Sequence, residues 1–81
     1  MPSIRFYTRA GCPLCDEALS QVKPLARRNG VDIEMIDIDL DLDLLERYDH
    51  RVPVIVDDHG TVIDEGIVDA SVLAVCLKNL R

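Results

Sequence analysis

The sequence predicts an α/β fold in a single domain, residues 1–81, with a mixed four-stranded sheet flanked by helices in the order β-α-β-α-β-β-α. Three observations predict it. The first 38 residues run from strand period to helical period and back to a β-branched run, the signature of a parallel β-α-β unit. Near residue 60 a glycine-containing loop divides two further β-rich runs, as in a hairpin. The chain then closes on an amphipathic helical segment. At 81 residues it buries about 60% of its unfolded surface, enough for one core and not for two.

The elements follow in order. "SIRFYT", residues 3 to 8, places Ile4 and Phe6 on one side and Arg5 and Tyr7 on the other, the two-residue period of a strand. From Pro13, the apolar positions Leu14, Ala18, Val22, Leu25 and Ala26 recur at helical spacing. Arg27 and Arg28 fill the last turn and Gly30 follows as a helix stop. Pro24 lies inside this helix and predicts a bend or restart, because its ring removes a donor and crowds the carbonyl of Ser20.

"VDIEMIDIDL" reads as a second strand ending between Ile36 and Ile38. The acidic "DIDLDLDLLERYD" then predicts an Asp-capped short helix, with Leu40, Leu44, Leu45 and Tyr48 as its buried stripe. Asp43 and Glu46 would complement its N-terminus. The same stretch lacks the glycine and terminal glutamate of a calcium loop.

Strands at 52 to 57 and 61 to 64 join through Asp58, His59 and Gly60. The final helix can be capped by Asp69 and carries Leu73, Cys76, Leu77 and Leu80 on one face. Cys76 is therefore expected to be a buried, hydrophobe-like thiol, and His50 and His59 surface loop residues.

Composition narrows the function. Hydrophobic residues make up 48% and charged residues 30%, a globular balance. Fifteen acids against nine bases give a net charge of −6, which disfavours nucleic acid or an anionic membrane as partner. No apolar run approaches the 18 or so residues of a membrane span, and the opening "MPSIRFYT" lacks the regions of a secretory signal, so the expectation is a cytoplasmic protein, and its small size and negative charge make a monomer the default.

Three cysteines without an export signal do not form a disulfide framework, whereas a Cys-x-x-Cys pair plus one distant thiol indicates redox or metal chemistry. Structural zinc needs two more ligands, and His50, His59 and Cys76 stand singly on different elements, so no metal site is assigned. "GCPLC" puts Cys12 at the helix N-cap and Pro13 at the first helical position. Unsatisfied N–H groups and the helix dipole there favour the thiolate, lowering the pKa of Cys12 below the free value of about 8.5. Cys15 is one turn deeper, with its sulfur beside that of Cys12. Cys12 would attack a substrate disulfide and Cys15 resolve the mixed disulfide. Arg9 either adds a cation near the thiolate or is simply solvated.

"FYTRAGCPLCDEAL", followed after a strand and short helix by "RVPV", resembles the glutaredoxin branch of the thioredoxin fold over nearly the whole chain. The closest fit is the small glutaredoxin-like group, whose members resemble both glutaredoxins and the glutaredoxin-like electron donors of ribonucleotide reductase. The resemblance implies a cis bond between Val52 and Pro53, lying next to Cys12, with Val52 pairing with extended substrate.

The sequence departs from glutaredoxins at Leu14, where they usually carry tyrosine, and at Arg51, where they usually carry threonine. In place of their double-glycine acidic stretch, which binds the glutathione carboxylate, it offers "DEGIVDAS" with Gly66 and Asp69. Thioredoxin's tryptophan before the first cysteine is replaced by Gly11.

The functional expectation is a thiol-disulfide oxidoreductase serving electron transport and cell redox homeostasis. Cys12 and Cys15 are catalytic, and Arg9, Pro13, Leu14, Arg51, Val52, Pro53, Gly66 and Asp69 contact substrate. Arg51 could attract an anionic substrate or be only a solvated loop charge. The partner is a disulfide-containing protein or glutathione disulfide. No cofactor is bound, and the reductant is glutathione or a thioredoxin-reductase-type system. The alternative is a binding module whose dithiol holds a metal or docks a partner.

Overall fold

The structure is a computed structural model that describes residues 2–80. Its elements are β1 (Ser3–Thr8), α1 (Pro13–Asn29), β2 (Asp32–Asp37), a 3-10 turn (Ile38–Leu40), α2 (Leu42–Tyr48), β3 (Val54–Val56), β4 (Val62–Glu65) and α3 (Ala70–Leu80). The strands form one sheet in the order β2-β1-β3-β4. β1 pairs in parallel with β2 and antiparallel with β3, and β3 continues antiparallel to β4. The expected α/β order is thus the observed one.

The alternation in β1 sets two cores. Ile4 and Phe6 are fully buried with Cys15, Ala18, Val22 and Ala26 of α1, Leu73 and Leu77 of α3, and Ile55 of β3. The register pairs Phe6 with Ile55 and Tyr7 with Val54, so neighbouring strands present matching faces. On the opposite face Tyr7 joins Ile38, Tyr48, Val54 and Val56. The rings of Tyr7 and Tyr48 lie 4.7 Å apart, tilted by 33°.

α1 does not restart at Pro24; one helix runs from Pro13 to Asn29. Both Pro24 and Ser20 are exposed, so solvent can reach the carbonyl that proline leaves unpaired. The helix ends as expected. Gly30 takes φ 66°, and the Val31 N–H reaches back to the Ala26 carbonyl at 2.9 Å.

Two expectations are corrected in the acidic segment and the hairpin. Leu40 is 85% exposed rather than buried, because the segment splits into two elements with separate caps. Asp37 caps the 3-10 turn and Asp41 caps α2, so the helical phase resets and Ile38 takes the core position. Leu44, Leu45 and Tyr48 pack as expected, Asp43 lies in the first turn of α2, and Glu46 lies beyond that turn.

The strand expected over 52 to 57 contracts to Val54–Val56. Pro53 has no N–H for the ladder, and the Val52 N–H bonds to the Tyr48 carbonyl instead. At its other end Asp57 enters the turn, its carboxylate accepting from His59 N and Thr61 N.

Cys76 is also corrected. It is half-buried at the edge of the α3 stripe that Leu73 and Leu77 define, and lines a cleft of about 270 Å³ with Ile63 and Leu80. His50 and His59 are exposed, as expected. No helix among the described residues is long and apolar enough to cross a membrane.

Candidate functional site

The chain leaves β1 at Thr8 and must turn within four residues to enter α1. Gly11 makes the turn at φ 72°, a conformation that side-chain-bearing residues rarely adopt. A Cβ at Gly11 would meet nothing within 4 Å, so backbone conformation alone calls for glycine. Cys12 then takes the extended geometry of an N-cap, φ −103° and ψ 102°, and Pro13 opens the helix.

In this cap the acceptor is sulfur. The Cys15 N–H donates to Cys12 Sγ at 3.1 Å, and the Asp16 N–H to the Cys12 carbonyl at 3.1 Å. The two sulfurs are bonded to each other, with Cα atoms 5.2 Å apart. Cys12 is half-buried, while Cys15 is 2% exposed inside the larger core. Access therefore differs between the thiols, as the spacing predicts.

The Val52–Pro53 bond is cis, as the resemblance implies. Val52 packs against both cores and Cys12 against the core shared by α1 and α3. The Pro53 carbonyl accepts from the Gly66 N–H at 2.8 Å, with Gly66 at φ 69°. This bond ties the turn before β3 to the loop after β4. A small groove of about 20 Å³ lies between that loop and α1, lined by Leu14, Glu17, Ala18, Gln21, Gly66, Ile67 and Val68.

The charged candidates have partners within the chain. Arg9 forks between Asp39, at 2.9 Å, and Asp49, joining the β1–α1 loop to the 3-10 turn and the end of α2. Its hydrogen bond to Asp49 and the charge of Asp39 strengthen its hold on its proton. Arg51 makes a two-point contact with Glu65 at 2.7 and 3.2 Å and lies 5.2 Å from the centre of the Tyr48 ring. The hydrogen bond from Arg51 holds the Glu65 carboxyl below the usual range.

Asp69 accepts from Ser71 Oγ at 2.6 Å, Ser71 N at 2.8 Å and Val72 N at 3.4 Å, the bonds of an N-cap for α3. These bonds, the one from the Ser71 hydroxyl foremost, lower its pKa. Pro13 and Leu14 are exposed on the opening turn of α1. The structure thus gathers Val52, Pro53 and Gly66 into one locality, sets Leu14 and Gly66 on one groove, and commits Arg9, Arg51 and Asp69 to internal bonds.

Sequence reasoning missed Glu17 and Ile67. The spacing of Leu14, Glu17, Ala18 and Gln21 could have shown Glu17 to share a helix face with Leu14. Ile67, 84% exposed, carries no local signal in "EGIVD" that it faces α1. Among the described residues no group of three or more His, Cys, Asp or Glu is placed to hold a metal ion.

Residues 3–78 match the family model described as Glutaredoxin-like domain (DUF836). An X-ray structure of a protein from X. campestris is 32% identical, covers 94% of this chain and 96% of its own, and superposes with a TM-score of 0.76. The solution NMR structure of a protein from Nitrosomonas europaea is 26% identical over 93% of this chain and 89% of its own, at a TM-score of 0.80. A mutant thioredoxin from Halobacterium salinarum is 24% identical over 98% of this chain and 74% of its own, at 0.72, a likeness of fold. No curated protein matches the chain. A sheet ordered β2-β1-β3-β4, a bonded Cys12–Cys15 pair opening α1 and a family match over nearly every residue lead to one assignment: the chain has a thioredoxin-like fold and belongs to the glutaredoxin-like domain family.

Proposed function

We propose that the protein is a dithiol-disulfide oxidoreductase. The observation that carries this reading is the placement of the bonded pair, with Cys12 half-buried at the N-cap of α1 and Cys15 buried one turn deeper. The Cys12 thiolate attacks one sulfur of a substrate disulfide, forming a mixed disulfide and expelling a thiolate. Cys15, deprotonated, then attacks Cys12 Sγ, closing the Cys12–Cys15 bond and releasing the second substrate thiol. Two electrons and two protons pass from the dithiol to the substrate. The cycle closes when glutathione, or a thioredoxin-reductase-type system, reduces the pair.

The backbone N–H of Cys15 supports the first step by donating to the sulfur that must carry negative charge. The sulfur-bearing turn of α1 gives a disulfide its attacking group, and the Val52–Pro53 turn gives extended substrate a wall to lie against. The substrate in this reading is a protein or small-molecule disulfide. The setting is the reducing cytoplasm, where such dithiols work, and the working unit is a monomer serving cell redox homeostasis.

The test is reduction of insulin and of glutathione disulfide by the wild type and two variants. Cys12→Ser is expected to lose activity to the uncatalysed rate. Cys15→Ser is expected to accumulate a covalent adduct on Cys12, seen by mass spectrometry as the added mass of one substrate half. Full activity in Cys12→Ser overturns the reading. Parallel turnover with glutathione and its reductase, or with thioredoxin reductase, identifies the reductant.

A further inference from the structure

We infer that the dithiol is built for cysteine peptides carrying an apolar and a cationic side chain, and that it disfavours glutathione disulfide; the inference rests on the oxidoreductase reading above. The observation behind it is the groove lined by Leu14, the residue that separates the two cysteines in sequence. Leu14 stands between the two cysteines, 42% exposed, and faces Ile67, 84% exposed, across the groove. These two side chains offer exposed apolar surface on which a docked partner can pack.

Charge fixes what kind of partner that is. Glu17 is the one ionisable side chain lining the groove. Asp64 and Asp69 flank the loop that forms the other wall. Among the described residues Glu17, Asp64 and Asp69 form no ion pair. Arg9 is taken up by Asp39 and Asp49, and Arg51 by Glu65. Lys23 lies nine residues beyond Leu14, half a turn round the helix. Arg28 shares the groove's helix face but stands roughly 21 Å from Leu14, at about 1.5 Å per residue.

Each half of glutathione carries two carboxylates against one ammonium, a net negative charge that Glu17 repels. A peptide placing lysine or arginine beside its cysteine and an apolar side chain next to that meets Glu17 with the one and Leu14 and Ile67 with the other. Electrostatic matching of this kind raises encounter rates by about tenfold or more at low salt.

The test mixes the reduced protein with three symmetrical disulfides: those of acetyl-Leu-Cys-Lys-amide, acetyl-Leu-Cys-Glu-amide and glutathione. Alkylation quench and mass spectrometry follow closure of the Cys12–Cys15 bond. Each rate is divided by the same disulfide's rate with dithiothreitol, which removes leaving-group differences. The lysine peptide is expected to react about tenfold faster than glutathione disulfide at low salt, with the gap closing near 1 M salt, where the screening length falls to about 3 Å. Glu17→Lys should lower the ratio of lysine-peptide to glutamate-peptide rates several-fold. Leu14→Ser should slow both leucine peptides and leave that ratio unchanged. Glutathione disulfide reacting as fast as the lysine peptide, or a ratio indifferent to salt and to Glu17→Lys, overturns the substrate preference alone. Failure of all three disulfides to close the bond overturns the oxidoreductase reading, and the preference with it.

Discussion

Cys12 Sγ occupies the place that a serine or aspartate oxygen takes in an ordinary helix cap, accepting from the Cys15 N–H at 3.1 Å. Oxygen caps satisfy a donor; a sulfur cap also gains from holding charge there, because the thiolate accepts more strongly than the thiol. The other charged pairs at this scale are local ties. Arg51 holds Glu65 charged, through its hydrogen bond first and its charge second, at the cost of some desolvation. Because the folded pKa of Glu65 is lowered, its contribution to stability is present above the unfolded value of about 4.3 and is lost as pH falls through the folded value. Carbon-13 titration of the Glu65 carboxyl should place its midpoint below the ordinary range, and Arg51→Ala should return it; an unchanged midpoint would dissociate the pair.

Among the elements, α2 depends most on its cap. It has seven residues, too few to hold by propensity, and Asp41 accepts from Asp43 N at 2.9 Å and Leu44 N at 3.3 Å. Asp41→Ala should cost about 1 kcal/mol. That lowers Tm by about 4–8 °C in a domain of this size, measurable by thermal melting. The same segment shows what sequence could deliver. Strand and helix periods were legible in β1 and α1 because each is one uninterrupted element. The burial of Leu40 was misread because two aspartate caps sit four residues apart, and each restarts the phase of the side chains after it. The shortening of β3 was half legible. Pro53 announced a missing donor, but the Val52 N–H that turns back to Tyr48 depends on where α2 ends in space.

The whole molecule is organised around β1, one of the two inner strands, with apolar side chains on both faces. Phe6 is fully buried beneath both α1 and α3, so Phe6→Ala should remove about 3–5 kcal/mol. A domain of this length has roughly 4–12 kcal/mol in total. Urea unfolding checks it, and a loss below about 1 kcal/mol would contradict the packing described. The dithiol was legible in the sequence because its geometry is local, three residues within one helical turn. The groove beside it was not, since Leu14 and Ile67 are 53 positions apart and meet only through the sheet. The Arg9 fork to Asp39 and Asp49 was hidden for the same reason.

The oxidoreductase reading requires that the start of α1 ionise Cys12. The rate of iodoacetamide alkylation of the reduced protein, followed at Cys12 by mass spectrometry from pH 4 to 10, measures that directly. Half-maximal reactivity is expected below the free-cysteine value of about 8.5, with Cys15 slower throughout. A midpoint at or above that value, or Cys15 reacting first, would contradict it.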